Sequence, residues 1–281
     1  MGEPTLEKLE QAFYDMLAAL ETRPDKILIL GGWLVSHVYP RFLWRLPRLD
    51  AQVTTTDLDI GVLESGPRAY DPQVIALLSK NPMFTVDRVT GKTGKCDDEF
   101  ARVHWKDGKL VVPMDFITSF YVSDDTWNRF LGKGLSLSRL DGLEILLDNT
   151  IPVDVKSGAR KFRISVPDPA AFVFHKCAVS MTQRGEDNPK KFKDLFVAWW
   201  VLFHAPDRDE ILNRMKQFKE IDYMTLMREN LLKFVGAPNK LGYAKLRPFL
   251  TDQWDAATID RNLRSVFDDL MKALEIHAGG R

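Results

Sequence analysis

Asp57 and Asp59 stand one residue apart at the mouth of an apolar stretch, Ile60-Gly61-Val62-Leu63, behind the run Thr54-Thr55-Thr56. A third carboxylate, Asp115, sits inside Val111-Val112-Pro113-Met114-Asp115-Phe116-Ile117. Gly31-Gly32 closes an earlier apolar run, Lys26-Ile27-Leu28-Ile29-Leu30. Side chains alternate across a strand, so Asp57 and Asp59 share one face while Leu58, Ile60 and Val62 take the other. Asp115 likewise opposes Met114 and Phe116. If the two strands are neighbours, facing Cβ atoms lie about 4.5–5.5 Å apart. That spacing suits two divalent cations about 3.5–4 Å apart under shared carboxylates. Without a cation the three groups would repel. Mg²⁺ relieves that cost and takes oxygen ligands, with Mn²⁺ as the alternative. A glycine pair ahead of a helix lets backbone N–H groups approach phosphate closely. The chemistry these residues point to is phosphoryl transfer at two metals, with a triphosphate as substrate.

The elements that must position them follow from periodicity and punctuation. Leu6, Leu9, Phe13, Leu17 and Leu20 recur at helical spacing, predicting a helix from Thr5 to about Leu20. Residues 26–30 read as a short buried strand. Gly31-Gly32 turns into a helix from Trp33 to about Tyr39, and Pro40 to Val53 reads as a loop or insertion. Strands are expected over Asp57–Leu63, Met83–Val89 and Glu99–Trp105, with a helix over Asp71–Ser79. Asp107-Gly108 reads as a two-residue hairpin turn, pairing Glu99–Trp105 with Lys109–Ile117. Residues 91–98 read as flexible and exposed.

Beyond about Ser119 helical signals dominate. Asp168-Pro169 and Asn188-Pro189 are cap-and-first-turn pairs. Helices follow through Phe172–Val179, Lys193–Phe203, Asp209–Phe218, Tyr223–Val235 and Thr258–Ile276. The expected class is α+β: a small mixed sheet with flanking helices, then a helical C-terminal part. Residues 1–120 form the catalytic domain of this reading, and 121–281 a mainly helical domain completing a nucleotide and acceptor cleft.

The bulk properties narrow the partners. Lys plus Arg equals Asp plus Glu at 39 each, so no whole-molecule field draws in nucleic acid. No apolar run approaches the roughly 20 residues of a membrane span. Met1-Gly2-Glu3-Pro4 lacks the pattern of a signal peptide. Cys96 and Cys177 match no metal or disulfide spacing. A cytoplasmic setting without a membrane partner is expected.

The order Gly31-Gly32, Thr56-Asp57-Leu58-Asp59-Ile60, Asp115 resembles the nucleotidyltransferase superfamily of DNA polymerase β. It is most similar to the branch holding the abortive-infection type toxins of type IV toxin–antitoxin systems. Phe174-His175-Lys176 and Lys190-Lys191-Phe192-Lys193-Asp194 resemble that branch's helical Lys and Lys-Asp elements. The resemblance implies that Asp57 and Asp59 bind both metals, Asp115 the catalytic one, and Gly31-Gly32 the nucleotide phosphates. It also implies transfer of a nucleoside monophosphate from an NTP such as ATP, with loss of pyrophosphate, and an antitoxin as a partner to look for. The acceptor stays open among tRNA or other RNA, protein and small molecules. Two alternatives stand beside it: a catalytically silent nucleotide-binding module or complex subunit, and a tRNA-end or antibiotic nucleotidyltransferase.

Two departures bear on substrate details. The gap from Gly-Gly to Asp-x-Asp is long, with Leu43–Val53 as the extra loop. Trp33 stands where many relatives carry a small or hydroxyl residue, and Ser36, one turn on, is the candidate substitute. Lys176 and Lys193 are candidates for triphosphate; each could equally hold its charged head in water. Arg102 could steady phosphate or neutralise the carboxylates, and Asp194 could orient Lys193 or cap a charge cluster. Gly91-Lys92-Thr93 fails as a phosphate loop, because residue 86 is Val. Trp199-Trp200 reads as core.

Overall fold

In the computed structural model the described residues are 5–20, 28–46, 55, 57–61, 77–93, 96–119, 137–183 and 188–277. The strands are β1 (Leu28–Leu30), β2 (Leu58–Gly61), β3 (Phe84–Thr93), β4 (Cys96–Asp107), β5 (Leu110–Ser119), β6 (Leu137–Leu140), β7 (Thr150–Ser157) and β8 (Arg160–Pro167). They form one mixed sheet in the order β3-β4-β5-β2-β1-β8-β7, with β6 against β5. The chain is α+β. It divides into two compact units, one from Met1–Arg45 and Thr54–Pro167, the other from Leu46–Val53 and Asp168–Arg281.

In the first unit the sheet has one apolar face. Ile29, Ile60 and Phe116 sit side by side on β1, β2 and β5, as do Leu58 and Met114. All five are buried, with Val103, Trp105, Val112, Phe162, Ile164 and Val166. Each such side chain contributes about 1.5–3 kcal/mol by leaving water. Helix α1 (Leu6–Ala19) buries Leu9, Phe13, Met16 and Leu17, capped by Thr5, whose hydroxyl accepts from the Lys8 N–H. Asp15 on α1 accepts a 2.8 Å bond from Trp105 Nε1. Phe13 also meets Trp33, whose ring stacks on His37 with centroids 4.3 Å apart.

Helix α2 starts at Gly31 and runs as Gly31–Trp33 and then π-wound turns over Leu34–Leu43. Pro40 therefore lies inside a helix, not at the head of a loop. Proline cannot donate in the ladder, and its ring crowds the carbonyl four residues back. The wider winding relieves both, and Trp44 N–H donates to Tyr39 O, five residues back, at 2.8 Å. Residues 47–54 and 62–76 lie outside the described residues, with most of the expected extra loop and of the helix over Asp71–Ser79.

Two other expectations change. Asp107 pairs with Leu110, so the two-residue turn is Gly108-Lys109, not Asp107-Gly108. Only its first position needs a left-handed backbone, and Gly108 supplies it at φ +60°. Residues 91–93 and 96–98 are paired strand, Gly91 with Asp98 and Thr93 with Cys96, because the β3–β4 ladder runs to its end. After residue 120 come β6, β7 and β8. β2 and β6 both pair with β5 at Phe116 and Ile117, so they occupy opposite edges of that strand.

The second unit is helical. Asp168 caps Pro169–His175 by accepting from the Ala170 N–H at 2.8 Å. The chain then winds as a π-turn through Lys176–Ser180, and Asn230 Nδ2 donates to the carbonyls of Cys177 and Ala178. Lys190–His204 buries Phe196, Trp199 and Trp200, so the tryptophan pair is core. Ala256–Ala273 buries Ile259, Leu263, Val266, Phe267 and Leu270 on one stripe.

Candidate metal centre

Register places the three carboxylates. β2 pairs with β5 in parallel, so Asp59 stands directly opposite Asp115. Asp57 immediately precedes β2 on the same side. One oxygen from each of Asp57, Asp59 and Asp115 lies within 4.8 Å of the others. Among the described residues this is the one acidic or histidine cluster with ligand spacing. Asp57 and Asp59 are half-buried and Asp115 exposed. At such separations two carboxylates repel by about 1–4 kcal/mol, depending on how much water screens them. An all-oxygen set of this charge fits a hard divalent cation.

The glycine pair belongs to the same place. β1 pairs antiparallel with β2, which sets Leu30 beside Asp59 and the following residue, Gly31, against its carboxylate. Gly31 has φ +70°, and a Cβ there would stand 1.7 Å from Asp59 Oδ2. Only glycine permits both the turn and the approach. A Cβ on Gly32 would stand 2.9 Å from Thr55 Cβ. The first N–H groups of α2, which have no partner within a helix, therefore begin beside the carboxylates.

Residues 17–212 match a family model described as Nucleotidyltransferase. The chain belongs to the nucleotidyltransferase family. No curated protein and no solved structure matches it. The matched span holds Gly31-Gly32 and all three aspartates. No helix among the described residues is long and apolar enough to cross a membrane.

Ser36 is buried, and its hydroxyl donates to the Gly32 carbonyl at 3.0 Å. Arg102 lies in β4 just before Val103, which pairs with Met114. Lys176 and Lys193 belong to the second unit. Lys176 Nζ bonds Asp194 Oδ1 at 2.9 Å, with side chains only 17% and 5% exposed. Asp194 thus partners Lys176 across two helices, while Lys193 is exposed. Lys176 also lies 5.7 Å from the centre of the Phe172 ring. The buried Cys177 thiol is pushed up to about 12, first by burial and then by Asp194, which makes it a packing group.

Sequence reasoning did not single out Thr55. Its hydroxyl lies 2.7 Å from Asp57 Oδ1. The Thr54-Thr55-Thr56 run marks the neighbourhood but does not choose among three identical residues.

Proposed function

We propose that the protein transfers a nucleoside monophosphate from an NTP to an acceptor hydroxyl or phosphate, releasing pyrophosphate. The observation that carries this reading is the convergence of Asp57, Asp59 and Asp115 within 4.8 Å beside a glycine turn that abuts Asp59. Asp57 and Asp59 would hold two Mg²⁺ ions, with Asp115 on the one nearer the acceptor. When bound, the ions neutralise triphosphate charge and make an acceptor oxygen more nucleophilic. Gly31 and Gly32 present backbone N–H groups to the phosphates. Asp115, the most exposed of the three, accepts the proton of the acceptor hydroxyl as its oxygen attacks the α-phosphorus. The α–β bridging oxygen leaves with pyrophosphate.

The motif order and the helical Lys and Lys-Asp elements support a toxin-type enzyme with a cognate antitoxin. Arrest of growth on expression, lost in Asp59→Asn, tests that finer reading.

The decisive experiment incubates the protein with each α-labelled NTP, Mg²⁺ and whole-cell extract. Label should appear on one class of acceptor, with pyrophosphate released, and vanish in Asp57→Asn and Asp59→Asn. Undiminished labelling in both variants overturns the assignment.

A further inference from the structure

Thr55 touches both halves of the candidate centre. It is only 9% exposed, and its Oγ1 lies 2.7 Å from Asp57 Oδ1 and 3.2 Å from the Asp57 carbonyl oxygen. A hydroxyl carries one hydrogen, and the carboxylate is both the nearer and the stronger acceptor. On its other side Thr55 fills the space that a Gly32 side chain would need, its Oγ1 only 3.1 Å from an added Cβ. Thr55 is thus wedged between the phosphate-facing turn and the first carboxylate.

We propose that Thr55 is a positioning residue: its hydroxyl fixes the rotamer of Asp57 and turns that carboxylate toward Asp59 and Asp115, so that the centre is preorganised for divalent cations. The proposal rests on the metal-centre reading. Asp57 precedes β2 and has no Cα partner in its register with β5, so strand pairing does not set where its side chain points. Its carboxylate would otherwise sample several rotamers, most pointing away from its partners. The bond to Thr55 uses one lone pair of Oδ1 and leaves Oδ2 whole. The same contact explains why Gly32 lacks a side chain: bulk there would push Thr55 off the carboxylate.

Mn²⁺ binding to the purified full-length protein, read by electron paramagnetic resonance without nucleotide, tests this. Thr55→Val keeps the shape and removes the hydroxyl; Thr55→Ser keeps the hydroxyl. Thr55→Val should bind Mn²⁺ about tenfold more weakly, the size of one lost bond to a charged group. Thr55→Ser should bind within about twofold of the parent. Thermal melts in EDTA establish that both variants fold. Unchanged affinity in Thr55→Val, or equal weakening in Thr55→Val and Thr55→Ser, overturns the positioning role while leaving the metal centre standing. No Mn²⁺ binding by the parent beyond that of Asp59→Asn overturns the metal centre itself.

Discussion

Gly31 and Asp59 are in contact across the β1–β2 ladder: a Cβ on Gly31 would lie 1.7 Å from Asp59 Oδ2. Gly31→Ala must therefore move the carboxylate and also hold alanine at φ +70°, a left-handed conformation that costs about 1–2 kcal/mol for an L-residue. The expected result is a Tm lowered by several degrees together with loss of Mn²⁺ affinity. A melt and a metal titration on the same preparation check it. Unchanged metal affinity would break the link between the turn and the carboxylate.

Neutralising one carboxylate should act in opposite directions on stability and on function. Asp57→Asn, Asp59→Asn and Asp115→Asn each remove a repulsion worth about 1 kcal/mol or more. In EDTA the three variants should melt at or slightly above the parent's temperature. Nucleotide turnover with Mg²⁺ should fall by two orders of magnitude or more. A variant that melts far below the parent would show that its carboxylate is a structural group.

Divalent cations should stabilise the folded chain. A cation present at tenfold above its dissociation constant adds about 1.4 kcal/mol, or about 3 °C in Tm for a domain of this size. Mg²⁺ and Mn²⁺ should give that rise in the parent, and Asp59→Asn should abolish it. Differential scanning fluorimetry across a cation series reads both.

Lys176 and Asp194 form a pair that is largely out of water. Asp194→Ala strands a buried ammonium and should cost about 3–5 kcal/mol, whereas replacing both partners by apolar residues costs far less. Urea unfolding of Asp194→Ala and of Lys176→Met/Asp194→Leu measures the contrast. Equal losses would mean that packing, not charge, holds this site.

His204 gives the protein an acid limb. Burial against Trp200 and Phe203 holds its pKa down at about 4, against about 6.5 when unfolded. The unfolded chain binds the proton more tightly, so stability is full above about pH 6.5 and declines as pH falls toward 4. The ring is partly solvated, so the loss stays below the full value of that shift. His204→Gln should flatten the dependence of the urea midpoint between pH 7 and 4.5.

The carboxylates were legible in the sequence because strand alternation is a property of the backbone. Once Leu58, Ile60, Met114 and Phe116 are committed to the apolar face, Asp59 and Asp115 have no other side to occupy. The caps at Asp168 and Asn188 were legible for a similarly local reason, since each satisfies N–H groups within two residues. The hairpin register was less so. Asp-Gly is a strong turn signal, yet the ladder through Asp107 and Leu110 moved the turn one residue on. Strands β7 and β8 carry the alternating sets Ile151, Val153, Val155 and Phe162, Ile164, Val166 around the turn Gly158-Ala159. That pattern was present in the residues but was overshadowed by the helical signals that follow.

By itself the sequence determined which side chains share a face, where helices begin, and that a family of acidic and glycine motifs lies in the order of the nucleotidyltransferases. Those are consequences of local geometry, with a reach of a few residues. The tertiary structure decided that Asp59 lies opposite Asp115, that Gly31 abuts Asp59, and that Gly32 faces Thr55. Each depends on which strand pairs with which, and that choice minimises the free energy of the whole sheet and its core.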